Sequence, residues 1–162
     1  MASTSVQTVP SSFTSAFSKP QPEYDVFLSF RGEDTRCKFT DHLYHALVDK
    51  EIITFRDDKE LKMGEPISLE LLEAIEKSRI AVIIFSENYA SSTWCMGELV
   101  QIIECRNGGQ SVLSIFYPPR MTFEEAFAKH KKLLKENLQK GDKWRVALRQ
   151  VTKISRLHLE KG

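Results

Sequence analysis

The chain has 162 residues, 41% of them hydrophobic and 28% charged, with a net charge of +1. These values fit one soluble globular domain with a single core and supply no overall field that would gather nucleic acid or a membrane surface. No apolar run approaches the roughly 18 residues of a membrane span, and Cys37, Cys95 and Cys105 form no CxxC pair, which fits reduced thiols in a cytosolic setting rather than a disulfide framework.

Residues 1–22, MASTSVQTVPSSFTSAFSKPQP, hold no acidic residue and are rich in Ser and Thr. Such a segment buries too little apolar surface to fold alone and reads as a disordered tail; a transit peptide, the other acid-poor option, is normally richer in Arg. A folded domain is expected from Glu23 to Gly162. YDVFLSF (24–30) reads as a buried strand, with Val26, Leu28 and Phe30 on one face and Phe27 on the other. A helix is expected from about Asp34 to Lys50, with Phe39, Leu43, Ala46 and Leu47 on one stripe. IITF (52–55) reads as a second strand, and RDDKELKMGEP (56–66) as a polar surface loop broken by Gly64 and Pro66. A helix through Lys77 buries Ile67, Leu71, Leu72 and Ile75, and IAVIIF (80–85) follows as a central strand. Ser91 or Ser92 is placed to cap a helix beginning near Trp94. SVLSIFY (111–117) is the fourth strand. Thr122 and Glu125 have capping-box spacing for a helix from about Phe123 to Leu138, and an amphipathic helix starts near Asp142.

Strands alternating with helices imply a parallel sheet covered on both faces, a flavodoxin-like three-layer α/β sandwich of strand order 2-1-3-4. In such sheets ligands bind beyond the carboxyl ends of the strands, at the switch point between strands 1 and 3. RGEDT follows strand 1 and SENYASSTWCMGE follows strand 3, so Glu98 falls near that point. The chain has no GxxxxGK[ST], no GxGxxG after strand 1 and no GxSxG. His42 and His45 have no third ligand at convincing spacing, so no metal is expected. Cys95 has no His at readable spacing, which leaves a thiolate nucleophile unsupported. The basic excess from Lys129 onward reads as solvated helix faces rather than a nucleic-acid site.

The stretches YDVFLSFRGEDTR (24–36), DHLYHAL, ITFRDDKELKMGEPIS (53–68), LLEAIEKSRIAVIIFSENYASSTWCMGELVQIIEC (71–105) and EEAFAKH (124–130) together resemble a plant Toll/interleukin receptor (TIR) domain, densely to about Cys105 and patchily afterwards. The resemblance implies the flavodoxin-like fold and a cytoplasmic protein of plant immune signalling, with the nucleus as a further compartment. It implies an NAD⁺ glycohydrolase that cleaves the nicotinamide–ribose bond to ADP-ribose or cyclic ADP-ribose products, activated by association with other TIR domains. NAD⁺ is then substrate, and no cofactor is implied. The glutamate of the WCxxEL motif, Glu98, is the implied catalytic residue. Ser29, Phe30, Arg31, Gly32 and Trp94 would line the substrate pocket; the loop with Asp57, Asp58, Gly64, Glu65 and Pro66 would gate it and build assemblies. Asp41 and His42 stand where the family carries a Ser-His pair used in self-association.

A single carboxylate suits this reaction. Glycoside hydrolysis ordinarily needs two, but nicotinamide departs neutral from a cationic pyridinium and needs no general acid. What remains is to stabilise an oxocarbenium-like ribose, which one fixed negative charge does. Trp94, one helical turn before Glu98, could wall the pocket or pack in the core; Arg31 could meet phosphate or pair with Glu33 or Asp34. The chain departs from the resemblance in two places: only PPRMT joins Tyr117 to Phe123, and the segment after KWRVAL (143–148) resembles neither the family's last strand nor its last helix. A non-catalytic adaptor or decoy that binds other TIR domains is therefore the competing expectation.

Overall fold

The computed structural model describes residues 21–57, 67–136 and 139–154, without the side chains of Arg36 and Cys37. The strands β1 (Tyr24–Ser29), β2 (Thr54–Arg56), β3 (Ser78–Phe85) and β4 (Ser111–Phe116) form one sheet of order β2-β1-β3-β4 in which every neighbouring pair is parallel. The connecting helices are α1 (Gly32–Thr35), α2 (Asp41–Asp49), α3 (Leu69–Glu76), α4 (Thr93–Asn107), α5 (Phe123–Phe127), α6 (His130–Glu136) and α7 (Gly141–Val151). The strand order is the one expected. Of the segment after Leu148, for which a missing last strand and helix were expected, residues 149–151 end α7, 152–154 form the turn after it, and 155–162 lie outside the described residues, as does most of the tail at 1–22.

The period-2 alternation of β1 and β3 divides the interior into two layers. Val26, Leu28, Phe30, Val82, Ile84 and Ile115 face Phe39, Leu43, Tyr44 and Leu47, the apolar stripe of the first helical region. Phe27, Ala81, Ile83 and Phe85 face the other way, onto Leu71 and Ile75 of α3 and Met96, Leu99 and Ile102 of α4. Ser29, two residues after Phe27, thus points to the α4 side, where it is fully buried. Caps fix the helix starts: the hydroxyls of Ser68, Ser92 and Thr122 accept from the backbone N–H of Leu71 (3.3 Å), Cys95 (3.2 Å) and Glu125 (3.2 Å). Ser92, not Ser91, is therefore the cap of α4. Among the described residues no helix is long and apolar enough to cross a membrane.

Two expected helices are each split. The helix expected over 34–50 is interrupted by a π-type turn at Arg36–Thr40, with Lys38 far from helical geometry (φ −125°, ψ −109°). Its buried hydroxyls take local partners instead of the helix ladder. Thr40 Oγ1 donates to Thr35 Oγ1 at 2.7 Å, and Thr35 Oγ1 to the Arg31 carbonyl at 3.4 Å. The helix expected over 123–138 ends at Phe127 and restarts at His130. There the chain is anchored inward by the ring of Phe127 on Phe85 (5.7 Å), by Lys129 on Glu87 (3.0 Å) and by His130 on the Ala90 carbonyl (2.8 Å). The second strand begins at Thr54, leaving Ile53 exposed. The short PPRMT connection closes because Met121 N–H donates to the Pro118 carbonyl at 3.0 Å and the Met121 side chain is buried.

Glu51 closes α2 in the left-handed region (φ 61°), its N–H donating to the Val48 carbonyl at 2.9 Å. Glycine occupies this position without the Cβ penalty that other residues carry. Glu51→Gly is expected to raise unfolding stability by about 1 kcal/mol, and the β-branched Glu51→Val to lower it. The urea midpoints of the three proteins check this.

Candidate active site

β1 and β3 are adjacent, with Ser29 opposite Ile83, and α4 crosses the sheet behind them. The apolar stripe of α4 that buries Cys95, Leu99 and Ile102 also carries Glu98 inward, where it is only 3% exposed. Ser29 Oγ donates to Glu98 Oε2 at 3.0 Å, and Ser29 Oγ also lies 2.6 Å from the hydroxyl of Tyr89, itself fully buried in the turn after β3. Burial pushes the Glu98 carboxyl well above its ordinary range; the Ser29 hydrogen bond opposes this and the charge of Asp57 adds to it. Burial likewise raises Tyr89 and holds Cys95 as a thiol, whose Sγ donates to the Phe30 carbonyl at 3.7 Å. Cys95 is thus a packed core residue, in keeping with the absence of a histidine partner in its sequence surroundings.

The wall beside Glu98 is tied across the switch point. Asp34 on α1 accepts from Ser86 Oγ (2.5 Å), Asn88 N–H (3.1 Å) and Asn88 Nδ2 (3.1 Å). Lys129 reaches the same asparagine from the far side, at 2.7 Å from Oδ1. Three aromatic rings underlie the strand ends: Phe85 lies edge-on to Tyr89 (4.9 Å) and to Phe116 (5.5 Å).

Glu98 and Ser29 are brought into direct contact. Arg31 pairs with Glu33 at 3.1 Å, but that acid is 83% exposed, so the pair contributes little. The Arg31 side chain is 27% exposed, and its Nε is buried with no hydrogen-bond partner among the described residues. Gly32 opens α1. The ring of Phe30 packs in the α2-side core, and its backbone carbonyl accepts from Cys95 Sγ beside the site. Trp94 is half-buried against the α4-side core at the start of that helix. Asp57 acts on Glu98 through its charge, while Asp58, Gly64, Glu65 and Pro66 lie outside the described residues. Asp41 is held within the domain. It accepts from Arg56 at 3.0 Å and pairs with His45 at 3.4 Å, and the Arg56 guanidinium, which keeps its carboxyl below the usual range, also covers the Tyr44 ring at 4.1 Å. His42 is exposed on the same helix. Tyr89 and the Asp34 latch were not found by sequence reading, since the SENYASS segment has no periodicity to show which side chains turn inward.

The TIR domain family model matches residues 23–161. The chain belongs to the TIR domain family. This TIR domain is 46% identical over 149 residues to TMV resistance protein N of Nicotiana glutinosa, covering 86% of the chain and 13% of that protein. It is 49% identical over 168 residues to disease resistance protein RPV1 of Vitis rotundifolia, covering 98% of the chain and 12% of that protein. The chain thus spans about an eighth of the length of these relatives. Among solved structures it is similar to the TIR domains of the activated Roq1 resistosome, an assembly directly recognising the pathogen effector XopQ. The TM-score is 0.71 at 48% identity, covering 83% of this chain and 86% of that one.

A carboxyl with a raised folded pKa favours folding below its unfolded pKa, near the ordinary value of 4.5, and that contribution is lost as pH rises through the folded pKa. Glu98→Gln removes the titration. Its thermal midpoint is expected to exceed the wild-type value increasingly as pH rises above the ordinary carboxylate range. Melting curves of both proteins from pH 5 to pH 9 check the divergence.

Proposed function

We propose that this TIR domain is an NAD⁺ glycohydrolase of plant immune signalling that works when self-associated. The observation that supports it best is Glu98, an acid held in a nearly dry site at the carboxyl ends of β1 and β3 with a hydroxyl aimed at its carboxyl group. Such a group has little structural purpose, because burying a carboxylate away from any opposite charge costs stability. Its chemistry fits a substrate that brings its own positive charge.

The C–N bond between ribose and nicotinamide breaks with its electron pair going to the pyridinium nitrogen, which becomes neutral. The ribose gains oxocarbenium character. Water then adds at the anomeric carbon and loses a proton, giving ADP-ribose; attack from within the molecule instead gives a cyclic product. Glu98 opposes the developing charge, and it does so best when ionised. Burial raises the carboxyl and so favours its protonated form without ligand; the cationic nicotinamide favours the carboxylate as it enters. Ser29 donates to that carboxylate. The buried Nε of Arg31, unpartnered among the described residues, suits an oxygen of the pyrophosphate, drawing the guanidinium from its weak pair with Glu33. The half-buried Trp94 ring offers a face for a base.

The likeness to the TIR domains of an assembled resistosome supports association with other TIR domains, and with it a second reading in which the domain joins such assemblies without chemistry. The two separate in one experiment. Purified protein at high concentration is expected to release nicotinamide from NAD⁺, and Glu98→Gln to lower kcat by about 10²–10³-fold while still associating with TIR partners. Equal rates for the two proteins would leave the non-catalytic reading standing.

A further inference from the structure

Three polar groups from three pieces of chain stand in a row in an apolar interior. They are the Tyr89 hydroxyl from the turn after β3, the Ser29 hydroxyl from the end of β1, and the Glu98 carboxyl from α4, at 2.6 Å and then 3.0 Å. The proposed reaction uses the last two and gives Tyr89 no part. A hydroxyl carries one proton, and an ionised carboxylate only accepts. When Glu98 is charged, the Ser29 proton must point to it, and the short contact with Tyr89 is satisfied only if the phenol donates to Ser29. When Glu98 is protonated the row can reverse, with Glu98 donating to Ser29 and Ser29 to Tyr89. The direction of the whole row is therefore tied to the charge of the acid, and successive bonds polarise one another.

We propose that Tyr89 is a positioning residue for Glu98: its hydroxyl fixes the direction of the Ser29 proton and so favours the ionised carboxylate from two hydrogen bonds away. This rests on the reading of Glu98 as the group that meets the ribose. Among the described residues, the other charged or titratable groups acting on the row are Cys95 from α4, on Tyr89, and Asp57 after β2, on Glu98, while Arg31 and Asp34 from the segment after β1 act on Cys95. A Tyr89→Phe substitution alters none of them. It also keeps the ring that packs edge-on to Phe85 at 4.9 Å.

The test compares wild type, Tyr89→Phe, Ser29→Ala and the double variant. Tyr89→Phe is expected to lower kcat for NAD⁺ cleavage about tenfold with KM held within about twofold. The acid limb of its kcat profile and the titration of the Glu98 carboxyl carbon, followed by NMR, should both move to higher pH. Ser29→Ala should show larger effects, and adding Tyr89→Phe to it should change nothing further. Unchanged kcat, acid limb and Glu98 titration in Tyr89→Phe, with only the melting temperature altered, would overturn the proposal. If wild type cleaves no NAD⁺ but Tyr89→Phe still shifts the Glu98 titration, the catalytic reading fails and the positioning role stands. If neither is seen, both fail.

Discussion

A carboxyl group with 3% exposure and a hydroxyl as its direct hydrogen-bond donor is costly to hold charged, and the surrounding structure follows from where that group sits. Glu98 lies on the buried stripe of α4 among Cys95, Leu99 and Ile102. Its partner must therefore come from the strand that α4 covers. Ser29 qualifies because the alternation of β1 places it on the same face as Phe27. The crossover that puts β3 beside β1 then delivers Tyr89 to the other side of the same hydroxyl.

The same geometry explains why the switch point is braced. Asp34 binds the turn after β3 through Ser86 and Asn88, and Lys129 holds that turn from the side of α5 and α6. These bonds join two loops that would otherwise be independent, and a site that must hold an acid within about 3 Å of a hydroxyl needs both loops fixed. Below it, the Phe85, Phe116 and Phe127 rings fill the strand ends. Arg31 is the exception. Its visible partner is a solvent-exposed acid, and its inner nitrogen lacks a partner among the described residues, so it is a cation beside the site with donor capacity to spare.

Much of this was legible in the sequence because it depends on periodicity. The four strands, their order and the face assignments of Val26, Phe27 and Leu28 follow from alternation and crossover rules, and the SENYASSTWCMGE segment is placed at the switch point by topology alone. What was not legible depends on single side chains competing with regular structure. Thr35 and Thr40 divert the first helix into a π-type turn, and Lys129 and His130 split the helix expected over 123–138 through contacts to β3's turn. Phe30 packs with Val26 and Leu28, the face its alternation gave it. Tyr89 escaped because, in a turn without periodicity, nothing in the sequence says which aromatic ring points inward.

Burial disfavours the charge on Glu98, and a cationic substrate would restore it. The direct measurement is the titration of the Glu98 carboxyl carbon by NMR in the wild-type chain, alone and saturated with a non-cleavable NAD⁺ analogue. A midpoint well above the ordinary glutamate range is expected in the free protein, and a lower midpoint in the complex. A free-protein midpoint within the ordinary range, unmoved by the analogue, would contradict this.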